Sequence, residues 1–317
     1  MRKGILITGI ICVLIVLSAC AATENKSSVT QTESAGSLPE ISAEPSAEPK
    51  PSPLPTAAPE ATPVPVRGTV AVRGGDTLER DIIPQLCAVF SVTEDQAKDA
   101  LSAAQSSLIG DSLSDFRRME GIIVPGSYDV TDQTLEDYVA LWISGAEQRY
   151  TGLAAANSDA NALSDPQRLA LASIVDWECL SDAFQPEAAA VLLNRLQDGD
   201  KLQCCATVEY ALGFSRPYLT NDDIKIDSEY NTYAHEGLPP GPICAVDDES
   251  LAAAIGNPVD GSLYFFFYDY ASATMQVFSD YGTFKEKANI SRQLFADTFD
   301  IGKYDVVDKR SYFLGAD

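Results

Sequence analysis

Glu178 is the residue of this sequence best placed to move a proton. Within residues 169–179, Leu171, Ile174, Val175 and Glu178 recur at i, i+3, i+4 and i+7, so on a helix the carboxylate shares a stripe with three aliphatic side chains. A carboxyl group kept from water holds its proton more readily, the property a general acid needs. Asp176 and Trp177 fall at the flanks of that face. Two residues from Glu178, Asp176 faces elsewhere, which speaks against a paired-carboxylate scheme.

A second polar concentration lies downstream. Asp227, Ser228, Glu229, Tyr230, Asn231, Thr232 and Tyr233 precede Gly237, Leu238, Pro239, Pro240, Gly241, Pro242 and Ile243. Prolines and glycines there fix the backbone while hydroxyls, amides and ring faces supply contacts, the composition of a sugar-binding wall. Arg195, Gln203, Ser228, Tyr230 and Asn231 are candidates for orienting a glycan, with Tyr233 and Asp176 completing the substrate-binding set.

Other chemistries lack their parts. A single histidine, His235, gives no basis for Ser-His-Asp catalysis or a histidine metal site, and no pair of Cys-x-x-Cys motifs points to zinc. Neither a metal nor an organic cofactor is expected. The formal charge of -24 argues against nucleic acid or any polyanion as the ligand and more easily accommodates a neutral or cationic partner.

The catalytic helix needs a start. Ser164 opens it through a Ser-x-x-Gln box with Gln167, or Asp165 caps it with Pro166 in the first turn; both place Glu178 in the last turn. Ahead of it, Arg2 and Lys3 precede an apolar run over 4–17 and then small residues, a secretory signal too short to span a membrane comfortably. Leu17, Ser18, Ala19 and Cys20 resemble a bacterial lipobox, implying removal of residues 1–19 and a lipid on Cys20. An uncleaved anchor would leave the protein on the same, extracytoplasmic face of the membrane. Residues 20–66, rich in Pro, Ser and Glu, bury too little to fold and read as a disordered tether. Five cysteines then remain. A disulfide among Cys179, Cys204, Cys205 and Cys244 and free buried thiols are both open.

The expected architecture is α+β. Over 67–150 the order is strand, helix opened by Thr77, helix over about 93–108, strand-turn-strand over 119–130 and helix after Thr134, a β-α-α-β arrangement similar to LysM-type glycan-binding modules. Residues 152–165 are small and polar and read as a hinge. A mixed α/β catalytic domain over 151–310 comes next, with helices at 188–196, around 207–211 and at 250–255, a hairpin of 263–268 with 275–278, and a helix at about 284–295.

Taken in order, these segments resemble the YceG-like (MltG) endolytic murein transglycosylases. The likeness rests on Met119 to Val130 (similar to Leu-Glu-Gly-x-Leu-x-Pro-x-Thr-Tyr), Ala172 to Glu178 (Ala-Ser-Ile-Val-Glu-x-Glu), Asn194-Arg195-Leu196 with Leu202-Gln203, Asp227 to Tyr233, Gly237 to Ile243, and Leu263-Tyr264-Phe265. The resemblance implies a catalytic acid at Glu178, the second acidic position of its motif, and non-hydrolytic cleavage of the β-1,4 bond between N-acetylmuramic acid and N-acetylglucosamine. Peptidoglycan strands are the implied substrate, and cell-wall synthases the candidate protein partners. The chain departs from the pattern at Asp176, where the family has Glu; at Cys205 and Ala206, in place of Asp-Pro; at Gln276, in place of His; and in a lipid replacing a transmembrane helix.

Overall fold

Strand β1 (Gly68–Val72) turns Val70 and Val72 inward and leaves Thr69 and Ala71 exposed, the alternation of a half-buried strand. The computed structural model describes residues 65–157, 160–269 and 274–307. β1 pairs antiparallel with β2 (Gly126–Val130), Gly68 opposite Val130 and Val72 opposite Gly126. Between them the Thr77 hydroxyl accepts from Arg80 N at 3.3 Å and opens a helical turn that runs into α1 (Ile83–Phe90). A Thr93–Gln96 capping box starts α2 (Glu94–Ser102). The β-α-α-β order is therefore present, with two corrections. α2 stops at Ser102 rather than near residue 108, and 119–124 is a buried turn rather than a strand. Gly121 there has φ +74, which no strand accommodates, and packs against Pro242 and the Cys244 carbonyl.

α3 (Leu135–Ala156) opens on Thr134 and buries Tyr138, Val139, Trp142, Ala146 and Tyr150 at helical spacing. It continues through Gly152, so the expected hinge begins as helix. Further along, Asn161 is held: its Nδ2 donates to the carbonyls of Ala254 and Gly256, both at 2.7 Å.

α4 (Asp165–Glu178) uses the serine start, Ser164 N donating to Gln167 Oε1 at 2.9 Å. Every residue from Leu169 to Trp177 is buried, so the apolar stripe is in fact a helix enclosed on all sides. It packs against α5 (Gln185–Asp198), α6 (Cys205–Leu212) and α7 (Asp248–Ile255). Pro186 sits in the first turn of α5, and Gly199, at φ 76, ends it. The hairpin joins β3 (Phe265–Asp269) to β4 (Thr274–Phe278), with Phe265 opposite Phe278; its turn lies outside the described residues. α8 (Tyr281–Phe299), capped by Asp280 Oδ1 accepting from Thr283 N, is longer at both ends than its pattern suggests.

One hydrophobic cluster runs from Val70 in β1 to Met275 in β4, within a compact unit that begins at Ala61. No disulfide joins the five described cysteines. Among the described residues no helix is long and apolar enough to cross a membrane. The lipobox, Cys20 and nearly all of the tether lie outside those residues.

Candidate active site

Glu178 closes α4, and its position there decides its exposure. Leu171, Ile174 and Val175 are fully buried, but the last turn emerges and Glu178 is half-buried on the wall of a cavity of about 360 Å³. Its Oε1 accepts a hydrogen bond from Ala206 N, in the first turn of α6, at 2.9 Å. The amide fixes the carboxylate's direction, and the cavity leaves it a free approach.

The turn leading into α6 is held by the polar loop downstream. Gln203 N donates to the Thr232 carbonyl at 3.1 Å, and Cys204 N to Thr232 Oγ1 at 3.0 Å. Gln203 itself sits at φ 53, a left-handed conformation costly for a residue with a Cβ, and lines the cavity. Asn231 Nδ2 donates to the carbonyls of Ile224 and Ile226 at 3.0 and 2.9 Å, while its Oδ1 accepts from Tyr233 N at 3.0 Å. The Tyr233 ring is thereby directed into the cavity, its hydroxyl 3.3 Å from Cys205 Sγ. Burial, then the neighbouring thiol, push the phenol well above its ordinary range and keep it neutral. Arg195 reaches the same cavity from α5, donating to the Leu202 carbonyl with its guanidinium 5.2 Å from the Phe265 ring. Its neighbour Asn194 donates to the carbonyls of Asp260 and Leu263, both at 2.9 Å, and fixes the approach to β3.

Glu178, Arg195, Gln203 and Tyr233 thus share one cavity. The other expected substrate contacts do different work. Asp176 is 4% exposed, and its Oδ2 accepts from Asp247 N and Ser250 Oγ, both at 2.9 Å, tying α4 to α7. Two residues of helix turn it about 200° from Glu178. Tyr230 is buried with its ring 4.8 Å from that of Tyr210. Asn231 is fully buried and spends its amide on the loop backbone. Ser228 Oγ accepts from Tyr230 N at 3.2 Å within the same loop. These four build the wall and do not line the cavity.

The opposite wall is absent from the candidates that composition and spacing suggest. Phe265 and Phe267 on β3, with Tyr281 and Phe284 on α8, form an aromatic surface whose rings lie 5.4 to 6.3 Å apart, and Lys285, Asn289 and Arg292 extend it along α8. The period-two aromatics of 265 and 267 and the helical spacing of 281, 284, 285 and 292 are the available signals. Among the described residues no group of three or more His, Cys, Asp or Glu side chains is arranged to hold a metal ion.

Residues 62–290 match the family model described as YceG-like. The chain belongs to the YceG-like family. Similar curated proteins are the endolytic murein transglycosylase of Bacillus subtilis, 33% identical over 149 residues covering 46% of this chain and 41% of that one, and its namesake in Streptococcus pneumoniae strain D39, 28% identical over 158 residues covering 47% and 28%. The chain spans less than half the length of these relatives. A crystal structure of a YceG-like protein from Listeria monocytogenes shares the fold, with a TM-score of 0.59 at 22% identity over 71% of this chain and 77% of that one.

Within the family pattern Gln-x-Asp-Pro-Thr-Val, this YceG-like chain substitutes Cys205 and Ala206. Proline has no amide hydrogen, so the Ala206 N–H that holds Glu178 exists because of the departure. Gln276, on β4 opposite Phe267, donates to Thr274 Oγ1 at 3.2 Å and does not line the cavity.

Proposed function

We propose that this YceG-like protein is an endolytic murein transglycosylase in which Glu178 acts alone as acid and then base. Protonated Glu178 gives its proton to the glycosidic oxygen as the bond from C1 of N-acetylmuramic acid breaks. The muramoyl 6-hydroxyl attacks C1, and the Glu178 carboxylate takes the hydroxyl proton. The product is a 1,6-anhydro end, no water is consumed, and Glu178 returns to its starting state.

The observation that carries this reading is the single carboxylate. Glu178 is the only acid lining its cavity among the described residues, whereas paired-carboxylate hydrolysis needs a second acid roughly 5–9.5 Å away. Asp176, the nearest alternative in sequence, is committed to Asp247 and Ser250. The aromatic wall of β3 and α8 offers flat apolar faces to pyranose rings, and the neutral Tyr233 phenol and the Gln203 amide offer hydrogen bonds beside them. In this reading the lipid on Cys20 holds the enzyme at the extracytoplasmic face of the membrane, residues 20–66 tether it, the LysM-like part binds glycan, and cell-wall synthases are its partner class.

Incubation of the mature chain with uncrosslinked glycan strands, followed by mass analysis of the ends, tests this. Anhydro ends from the wild type that are absent with Glu178→Gln support the assignment. Strand binding without any product would instead mark a scaffold that kept the fold and lost turnover.

A further inference from the structure

The chain as a whole carries a charge of -24, yet the cavity at Glu178 reverses that sign. Three cations line it, Arg195, Lys285 and Arg292, against the one carboxylate. Lys285, Asn289 and Arg292 recur at i, i+4 and i+7, so α8 presents them from one face. Arg195 is already engaged by the Leu202 carbonyl and the Phe265 ring. The Arg292 guanidinium lies 5.7 Å from the Tyr218 ring, and neither it nor Lys285 enters an ion pair among the described residues. Three acids of β3, α5 and α8 have hydrogen-bond donors of their own: Asp198 accepts from the Tyr264 hydroxyl, Asp269 from Ser291 and Asp297 from Gln293. Two cations that line the cavity of Glu178 outside any ion pair among the described residues leave a place for an anion from outside.

We propose that Lys285 and Arg292 form an anion subsite that binds carboxylates carried by the muramic residues of the strand. This rests on the function proposed above and adds the feature of the substrate that is read. Glucosamine residues of the strand are neutral, whereas each muramic residue carries either a free lactyl carboxylate or a peptide stem ending in carboxylates. An Arg fork and a Lys ammonium on one helix face suit such groups. Because charge alternates along the strand, the subsite sets the register: an anionic residue against α8 determines which glycosidic oxygen meets Glu178.

Binding is measured on Glu178→Gln protein, which cannot cut its ligand, with three strands of equal length. Chito-oligosaccharide is neutral, denuded murein carries lactyl carboxylates only, and stem-bearing murein carries the peptide carboxylates. The parent protein binds at least one anionic strand about tenfold more tightly than the neutral one, and 0.5 M salt erodes the preference. Adding Lys285→Gln and Arg292→Gln brings the ratio to about one. Whichever anionic strand loses affinity identifies the source of the carboxylate. Equal affinity for all three strands in the parent, or a ratio that survives both substitutions, overturns the subsite. Wild-type cleavage is assayed separately, so a charge preference without anhydro product refutes the reaction and spares the subsite, and anhydro product without charge preference does the reverse. A melting temperature shared with the parent protein shows that the double variant is folded.

Discussion

Two carboxylates two residues apart on α4 have opposite employment. Glu178 meets one backbone amide and otherwise faces a cavity, whereas Asp176 is enclosed and accepts from Asp247 N and Ser250 Oγ. Asp176→Ala leaves the Asp247 amide without its acceptor and takes one of two acceptors from the buried Ser250 hydroxyl, which keeps the Asp247 carbonyl at 3.1 Å. Urea denaturation is expected to show a loss of about 2–3 kcal/mol, while turnover per folded molecule stays within about threefold of wild type. A loss of turnover without a loss of stability would return Asp176 to the chemistry. Glu178 is legible in the sequence because periodicity and the helix start are local properties of the chain. Asn231, Tyr230 and Ser228 are legible only as a polar wall. Whether a polar side chain faces a ligand or ties its own loop is decided by carbonyls such as those of Ile224 and Ile226, which composition does not place.

At the scale of elements, the turn over 119–124 joins the β-α-α-β part to α6. Glu120 accepts from Leu78 N at 3.0 Å and from the Tyr210 hydroxyl at 3.0 Å, and burial pushes its carboxyl up to about 8 against those two donors. Below about 4.5 both folded and unfolded chains hold this proton. Between 4.5 and 8 the unfolded chain releases it and the folded chain keeps it, so this group's contribution to stability falls as pH rises and levels off above 8. Glu120→Gln is expected to flatten that slope, a difference on the order of a few kcal/mol between pH 4 and pH 8 in chemical denaturation. Parallel profiles for the two proteins would contradict the assignment. Next to it, a Cβ on Gly121 would lie 2.8 Å from Pro242 at a φ suited to glycine. Gly121→Ala should therefore cost about 2–4 kcal/mol in the same measurement. The turn resembles a strand in sequence because its run of Ile122, Ile123 and Val124 has β-branched composition, while the buried acid and the left-handed glycine that break it take their meaning from α6 and Pro242.

At the scale of the molecule, one core holds buried residues from Val70 to Met275, drawn from both sides of the stretch 152–165 whose composition suggests a hinge. A single cooperative unfolding transition is expected for residues 61 onward when far-UV circular dichroism and tyrosine fluorescence are followed together; two separated transitions would show that the halves are independent. Order and type of elements are readable from helix caps, Gly199, Pro186 and the hairpin pattern. The sign of the cavity is not, because a net charge of -24 says nothing about which few cations the fold gathers.

Oxygen from solvent tests the central claim most directly. Wild-type protein is given uncrosslinked glycan strands in water enriched in heavy oxygen, and the new chain ends are weighed. One proton donor and an internal hydroxyl predict anhydro ends with no heavy oxygen, at a rate that falls at least about a hundredfold in Glu178→Gln. New ends that carry the label would show that water is the nucleophile and contradict the account.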